Sequence, residues 1–119
     1  MEKQIILDTN FLIYCAEYKI DLFTEIDRLC DFPYKIGVLS RTIEELESLN
    51  PKKLYIIKLF LKKIDVIKSK EHYVDDELAE LSKNAIIATQ DKELKKRCKS
   101  KIIIIRQKSY LELKLYNSI

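Results

Sequence analysis

Residues 4–10 read QIILDTN and residues 84–91 read NAIIATQD, so two short apolar runs each end in a polar turn that carries an aspartate. Each run is apolar on successive residues, as in a strand that helices cover on both faces. Longer amphipathic stretches separate these and similar runs, which is typical of an α/β domain with a mainly parallel sheet. Ligands bind such sheets beyond the carboxyl ends of the strands. This rule directs attention to Asp8, Ser40 and Asp91, which follow predicted strands.

The periodicity along the chain predicts about five strands, at residues 4–7, 35–39, 65–67, 85–89 and 101–105. Helices are predicted at residues 10–18, 21–31, 51–63, 75–83 and 92–98. A further short helix would begin with Ser40 or Thr42 as its cap and run through Leu49. Asp21 is expected to cap the second helix, and Pro51 fits the first turn of the fourth. No element is predicted in the tail from residue 107 onward.

The length of 119 residues and the hydrophobic fraction of 47% fit one globular domain, taken here as residues 1–119. No apolar run approaches the roughly 20 residues that span a bilayer, and the first residues lack a signal-peptide pattern. Cys15, Cys30 and Cys98 are odd in number and widely spaced, which argues against a disulfide framework or a structural zinc site. We therefore expect a cytoplasmic protein without a membrane partner.

Acidic side chains recur where predicted strands end or where a helix arrives beside them, at Asp8, Glu44, Glu45, Asp75, Asp76 and Asp91. Right-handed crossovers would bring these positions to one edge of the sheet. Two carboxylates about 5 Å apart repel by roughly 3 kcal/mol at an effective dielectric constant near 20, so such a cluster needs a counterion. Carboxylate oxygens suit Mg²⁺ or Mn²⁺, whereas the single histidine disfavours zinc. A bound cation of this kind activates water for phosphodiester hydrolysis.

Helix capping is the structural alternative for several of these acids. Asp8, Asp75 and Asp91 each precede a predicted helix and could act as N-caps. Glu45 completes a Thr42-x-x-Glu45 capping box, which explains it well in isolation. Capping does not predict acids at two strand ends of one sheet together with acids from neighbouring helices. The combination therefore favours a metal site.

The distribution of charge supports a polyanionic ligand. Basic residues dominate segments 51–70 and 92–108, while residues 71–80 between them are mainly acidic. Basic regions around an acidic centre suit a polyanion that must reach a metal. A solvated surface rich in lysine and glutamate is the alternative, and charge alone does not separate the two interpretations. His72, beside the acidic stretch, is expected to be a surface residue.

Four stretches in this order resemble a PIN domain: IILDTNFLI (5–13), SRTIEELESL (40–49), VDDELAELSKNAIIATQDKELKKR (74–97) and IIIIRQK (102–108). The resemblance covers nearly the whole chain. It implies a three-layer α/β/α fold with a parallel sheet and a metal-dependent endoribonuclease activity. Within this family, the chain resembles archaeal VapC-like toxins and rRNA-processing PIN nucleases. The sequence does not distinguish between these two roles.

By position, the resemblance implies that the catalytic and metal-binding acids are Asp8, Glu45, Asp75 and Asp91, with Mg²⁺ or Mn²⁺ as cofactor. Thr9, Asn10, Asp76 and Thr89 match supporting positions, and Asp76 competes with Asp75 for the third acid. Gln90 stands where the family frequently has asparagine or aspartate, which puts a contribution from that side chain in doubt.

The expected partners are an RNA substrate, an antitoxin or a ribosomal precursor, and a second copy of the chain. The preferred phosphate contacts are Lys95, Lys96, Arg97, Arg106 and Lys108, against the alternative of a solvated helix face. A non-catalytic RNA-binding or assembly module with the same fold is a second hypothesis for the function. A phosphatase or receiver domain is a third, which Asn10 disfavours because a phosphatase of the haloacid dehalogenase type would need an aspartate there.

Overall fold

The computed structural model describes residues 2–70 and 73–115, so His72 lies outside the described residues. The chain folds into one six-stranded sheet with helices on both faces. In chain order the elements are β1 (Lys3–Leu7), α1 (Thr9–Glu17), α2 (Leu22–Leu29), β2 (Tyr34–Leu39), α3 (Ser40–Leu46), α4 (Pro51–Leu61), β3 (Asp65–Ile67), α5 (Val74–Leu81), β4 (Ile86–Ala88), α6 (Lys92–Arg97), β5 (Lys101–Arg106) and β6 (Tyr110–Leu115). Within the described part of the chain, no helix has the length and apolar character that crossing a membrane requires.

The strand order is β3-β2-β1-β4-β5-β6, and β1 to β5 are all parallel. The chain first builds outward from β1 to β3 and then crosses back to add β4 and β5 on the other side of β1. The direction of winding therefore reverses between β1 and β4. In open α/β sheets the crevice beyond the carboxyl ends of the strands at such a reversal is the usual ligand site. Asp8 and Thr89 follow these two strands directly.

The apolar residues form two cores, one on each face of the sheet. Ile5 and Leu7 of β1 belong to the core that α1, α2, α3 and α4 cover, whereas Ile6 belongs to the core under α5 and α6. Alternate strand residues therefore enter opposite layers, as the pleat of a strand requires. The observed α/β/α arrangement confirms the predicted fold.

Helices α2, α4 and α6 each begin with a side-chain cap. The sequence predicts the cap of α2 and is compatible with those of α4 and α6. The Asp21 carboxylate accepts hydrogen bonds from the backbone N–H and the hydroxyl of Thr24, so it caps α2. Asn50 accepts from the backbone N–H of Lys53, and Pro51 follows it at the first turn of α4. These side chains satisfy backbone donors that have no partner within their own helix.

The predicted start of α3 is wrong. The helix begins at Ser40 without a side-chain cap and ends at Leu46, short of the predicted Leu49. The Ser40 hydroxyl is committed elsewhere, because it accepts a hydrogen bond from the backbone N–H of Ser69 at 2.9 Å. Thr42 is also committed, since its hydroxyl oxygen lies 3.0 Å from that of Thr9. Both candidate hydroxyls therefore form contacts with distant segments and do not cap α3.

β6 is the strand that the sequence analysis did not predict, and it pairs antiparallel with β5. Its outer edge is covered by an ion pair of α2. Glu25 Oε1 accepts a hydrogen bond from the Leu111 backbone N–H at 2.9 Å, and Arg28 Nη2 donates to the Leu111 carbonyl at 2.7 Å. Glu25 and Arg28 also bind each other at 3.0 Å. The pair satisfies backbone groups that an edge strand otherwise leaves open to pairing with other chains.

Candidate functional site

A cavity of about 380 Å³ lies beyond the carboxyl ends of β1 and β4. It brings together the acids that the sequence analysis selected from four separate segments: Asp8, Glu45, Asp75 and Asp91. The rest of its wall consists of Thr9, Asn10, Ile13, Ser48, Leu49 and Val74. The acids are up to 83 residues apart along the chain, so the fold alone brings them to one place.

Asp8 is the most buried of these acids, with 5% of its surface exposed. Its backbone N–H donates to the Ala88 carbonyl at 2.9 Å, which ties the end of β1 to β4. Its Oδ2 accepts a hydrogen bond from the hydroxyl of Thr89 at 2.8 Å. Asp8 stands at the N-cap position of α1, but its side chain makes no capping hydrogen bond. The capping alternative therefore does not account for this carboxylate.

Capping fails for Asp75 as well, because the residue lies within the first turn of α5 and the N-cap position belongs to Tyr73. Asp91 does cap its helix, since its Oδ1 accepts from the Leu94 backbone N–H at 2.9 Å. One Asp91 oxygen thus fixes the carboxylate against α6 while the residue also lines the cavity. For Asp91 the structural role and the proposed functional role are compatible.

The acids raise one another's proton affinity. Burial raises the pKa of Asp8 from its ordinary value of 3.8 to about 6, and the charges of Asp75 and Asp91 add to this, against the opposing hydrogen bond from Thr89. The pKa of Asp75 is also raised, first by burial and then by Asp91 and Glu45, with Arg97 opposing. The cavity therefore holds negative charge that the protein alone does not compensate.

Glu45 is held by a pair of threonine hydroxyls. The Thr9 hydroxyl donates to Glu45 Oε1 at 2.5 Å, and the oxygen of Thr42 lies 3.0 Å from that of Thr9. Thr42 is fully buried in α3, one turn before Glu45. The capping box, which was the structural alternative for Glu45, does not form, because Glu45 reaches Thr9 of α1 and not the start of its own helix. The sequence indicates Thr42 only as a helix cap, because no local pattern shows its contact with Thr9.

Gln90 anchors the segment that carries Asp91. Its Oε1 accepts a hydrogen bond from the Ile105 backbone N–H at 2.6 Å, and its Nε2 donates to the Ile105 carbonyl at 3.3 Å. The amide thereby acts as one more partner in the β4–β5 ladder, beyond the last backbone pair at Ala88 and Ile103. Glutamine at this position thus has a structural use that the family pattern does not indicate.

The neighbouring acids Asp76 and Glu44 do not line the acidic cavity. Asp76 Oδ1 lies 2.9 Å from Arg97 Nη2, and both residues line an adjoining depression of about 360 Å³ that also reaches Asp75 and Glu45. Glu44 pairs with Arg41 at 3.4 Å on the surface. The geometry therefore favours Asp75 over Asp76 as the third acid of the cavity.

The basic residues that the sequence analysis selected have different surroundings. Lys96 and Arg97 are paired with Glu93 at 3.5 Å and with Asp76 at 2.9 Å. Arg106 Nε lies 3.3 Å from Glu112 Oε2, while the Lys108 ammonium lies 5.7 Å from the centre of the Tyr18 ring. Lys95 is half-buried, and its pKa is lowered by burial and then by neighbouring positive charges.

The donor set of the cavity suits a hard divalent cation. The acids and the threonine and asparagine side chains provide oxygen ligands, and none of the described residues that line the cavity is a histidine or a cysteine. Within residues 2–70 and 73–115, no three acidic, histidine or cysteine side chains are arranged to ligate one ion directly. A divalent cation in the cavity would reduce the repulsion between the four carboxylates.

The fold and the cavity define a class: an α/β/α domain with an acidic, oxygen-lined crevice at the point where its parallel sheet reverses. The sequence profile of the family described as "PIN like domain" matches residues 5–108. Ribonuclease VapC4 of Methanocaldococcus jannaschii is 35% identical to this chain over 125 residues, which cover 92% of this chain and 95% of that protein. The chain belongs to the PIN-like domain family.

Solved structures show the same fold at lower sequence identity. The PIN domain endonuclease Utp24 superposes with a TM-score of 0.77 and 22% identity, covering 93% of this chain and 90% of that one. VapBC2 from Rickettsia felis, bound to a DNA fragment from its promoter, gives a TM-score of 0.60 and 16% identity, covering 87% and 99%. These two likenesses show the fold, while the family membership and the likeness to Ribonuclease VapC4 support a PIN-domain nuclease as the class of activity.

Proposed function

We propose that this chain is a Mg²⁺- or Mn²⁺-dependent endoribonuclease that hydrolyses RNA phosphodiester bonds. The observation that carries the proposal is the single cavity lined by Asp8, Glu45, Asp75 and Asp91. These four carboxylates would hold the cation, and Asn10 in the cavity wall would help to orient water or metal. When bound, the cation would lower the pKa of a water and neutralise charge on the attacked phosphate.

The chain's own contribution is to hold the carboxylates in place before substrate arrives. The Thr89 hydroxyl fixes Asp8, the Thr9 hydroxyl fixes Glu45, and the first turn of α6 fixes Asp91. Partners of this kind orient metal ligands and are energetically important to metal sites. The proposed contacts to the phosphates of the substrate are Lys95, Lys96, Arg97, Arg106 and Lys108.

The relatives support this proposal at different levels. Ribonuclease VapC4, matched over nearly its whole length, supports RNA as the substrate. An antitoxin is the partner that the sequence resemblance to VapC-like toxins implies. Ribosomal RNA processing, with a ribosomal precursor as the partner, is the alternative setting that the sequence resemblance leaves open. A cytoplasmic location and pairing with a second copy complete the proposal.

The test is an incubation of the purified chain with structured and unstructured RNAs, in Mn²⁺ or in EDTA. We expect cleavage products in Mn²⁺ and none in EDTA. Asp8→Asn should be purified in parallel. Its cleavage rate should fall by more than the roughly 10- to 100-fold that is lost when a residue that only orients a metal ligand is replaced. The exposed variant Glu80→Gln should cleave like the parent, because Glu80 pairs with Lys83 away from the cavity.

Two outcomes would overturn the proposal. Cleavage by Asp8→Asn at the parent rate would show that the acidic cavity is not the active site. RNA binding that is indifferent to metal, with no product from the parent protein, would favour the non-catalytic RNA-binding module instead.

A further inference from the structure

The cations around the acidic cavity fall into two groups that differ in whether an acid neutralises them. Lys96 and Arg97, on one side of α6, have acidic partners. Lys92 and Lys95 of α6 and Lys114 of β6 form no ion pair among residues 2–70 and 73–115. These three lysines of α6 and β6 therefore carry positive charge that no described acid pairs with.

The strand register places Lys114 on the face of the sheet that α6 covers. Lys114 pairs with Ile102 of β5, and Ile102 packs in the same core as Leu94 of α6. Lys95 follows Leu94 directly and is half-buried, as is Lys114. Lys95 and Lys114 therefore lie on the same face of the sheet. Consistent with this, the charges of Lys114, Lys92 and Arg106 all lower the pKa of Lys95 in addition to its burial.

The positive charge runs in a definite direction from the acidic cavity. Arg106 ends β5 at the carboxyl edge of the sheet, whereas Lys114 lies opposite Ile102, four residues back along the strand. That separation is about 13 Å at the rise of a β-strand. Asp91, which lines the cavity, heads α6 at the same edge. The positively charged side chains thus begin near Asp91 at the carboxyl edge and extend away from it toward Lys114.

We propose that Lys92, Lys95, Arg106 and Lys114, here called the α6–β6 basic surface, bind the phosphodiester backbone of RNA on one side of the cleaved bond. The inference rests on the proposed ribonuclease function and adds to it Lys92, Lys114 and a direction for the strand. Glu112, opposite Ile104 on the same face, is the acid within this surface, and it partly neutralises Arg106 at 3.3 Å.

The experiment measures binding of a short fluorescein-labelled single-stranded RNA by anisotropy, in EDTA and in the Asp8→Asn background, so that cleavage plays no part. The double variant Lys95→Gln with Lys114→Gln should bind roughly three- to tenfold more weakly. The slope of log affinity against log salt should become shallower by about 0.7 for each lysine removed. The matched control is Lys58→Gln with Lys62→Gln, an equal charge change on α4 and its carboxyl end, on the opposite face of the sheet. The control should change neither affinity nor slope.

Glu112→Gln gives a gain of binding that a folding defect would not produce. Removal of this acid frees Arg106 and should tighten RNA binding while steepening the salt dependence. Melting curves of each variant establish that the fold is retained.

Equal effects of the two lysine pairs, or weaker binding by Glu112→Gln, would overturn the α6–β6 basic surface. If the parent protein cleaves RNA while the pairs behave alike, only this surface is wrong. If the Lys95 and Lys114 pair weakens binding selectively but no protein cleaves RNA, the surface stands and the proposed hydrolysis is wrong.

Discussion

At the scale of single residues, the single hydroxyl hydrogen of Thr9 decides how Glu45 is held. A hydroxyl carries one hydrogen, so Thr9 can donate to Glu45 or to Thr42 but not to both. The arrangement that satisfies all three groups has Thr42 donating to Thr9 and Thr9 donating to Glu45. Thr42 is fully buried and lies outside the cavity wall, so it is a positioning residue that acts through Thr9.

Thr42→Val removes the hydroxyl and keeps the branched shape, and it should lower kcat for RNA cleavage while leaving KM for RNA unchanged. The Mn²⁺ concentration needed for half-maximal rate should rise, because Thr9 loses the hydroxyl that orients it and so holds Glu45 less firmly. Thr42→Ser restores the hydroxyl and should recover most of both quantities. Steady-state cleavage across a Mn²⁺ titration measures them. A serine variant as impaired as the valine variant would refute the positioning role.

At the scale of secondary-structure elements, β6 depends on contacts that are distant in sequence. Leu111, Leu113 and Leu115 alternate with polar residues, which is a local strand signal in the sequence. What no local pattern shows is that Glu25 and Arg28, more than 80 residues earlier, bind both backbone groups of Leu111. Propensity describes one segment at a time and does not report such a partner.

Glu25→Ala should lower the free energy of unfolding by about 1–2 kcal/mol, because the Leu111 N–H loses its acceptor and Arg28 loses its partner. The control is Glu80→Ala, which removes an exposed pair between Glu80 and Lys83 and should cost less than about 0.5 kcal/mol. Urea denaturation measures both. Equal losses in the two variants would mean that the edge contact contributes nothing beyond an ordinary surface pair.

The predicted bounds of the other elements are mostly correct to within one or two residues, and β3 was predicted without error. The clear failure is the start of α3, where Ser40 and Thr42 have the composition of N-caps. Their hydroxyls bind Ser69 and Thr9 instead. Side chains near a site are therefore where local rules fail, because tertiary contacts compete for the same polar groups.

At the scale of the whole molecule, the convergence of acids was predictable because parallel strands end at one edge and the chain reverses between β1 and β4. The sequence did not indicate how the carboxylates are held, because Thr89, Thr42 and Gln90 act through contacts between distant segments. It also left Asp75 and Asp76 unresolved, and only the cavity wall separates them.

The acidic cavity should cost the metal-free protein stability. Because the pKa of Asp8 rises from 3.8 to about 6 on folding, the free energy of unfolding falls as pH rises through that window and remains low at neutral pH. Asp8→Asn removes this charge and keeps an acceptor for the Thr89 hydroxyl. In EDTA at neutral pH the variant should therefore be more stable than the parent by about 1–3 kcal/mol.

Thermal unfolding of the parent, Asp8→Asn and Glu80→Gln, each in EDTA and in Mn²⁺, tests most directly whether the four acids form one cation site. Mn²⁺ should raise the Tm of the parent and of Glu80→Gln, because a ligand that binds only the folded state stabilises it. Asp8→Asn should begin with the higher Tm and gain little from Mn²⁺. An Asp8→Asn variant that is less stable than the parent in EDTA, and that Mn²⁺ stabilises as much as the parent, would contradict the account.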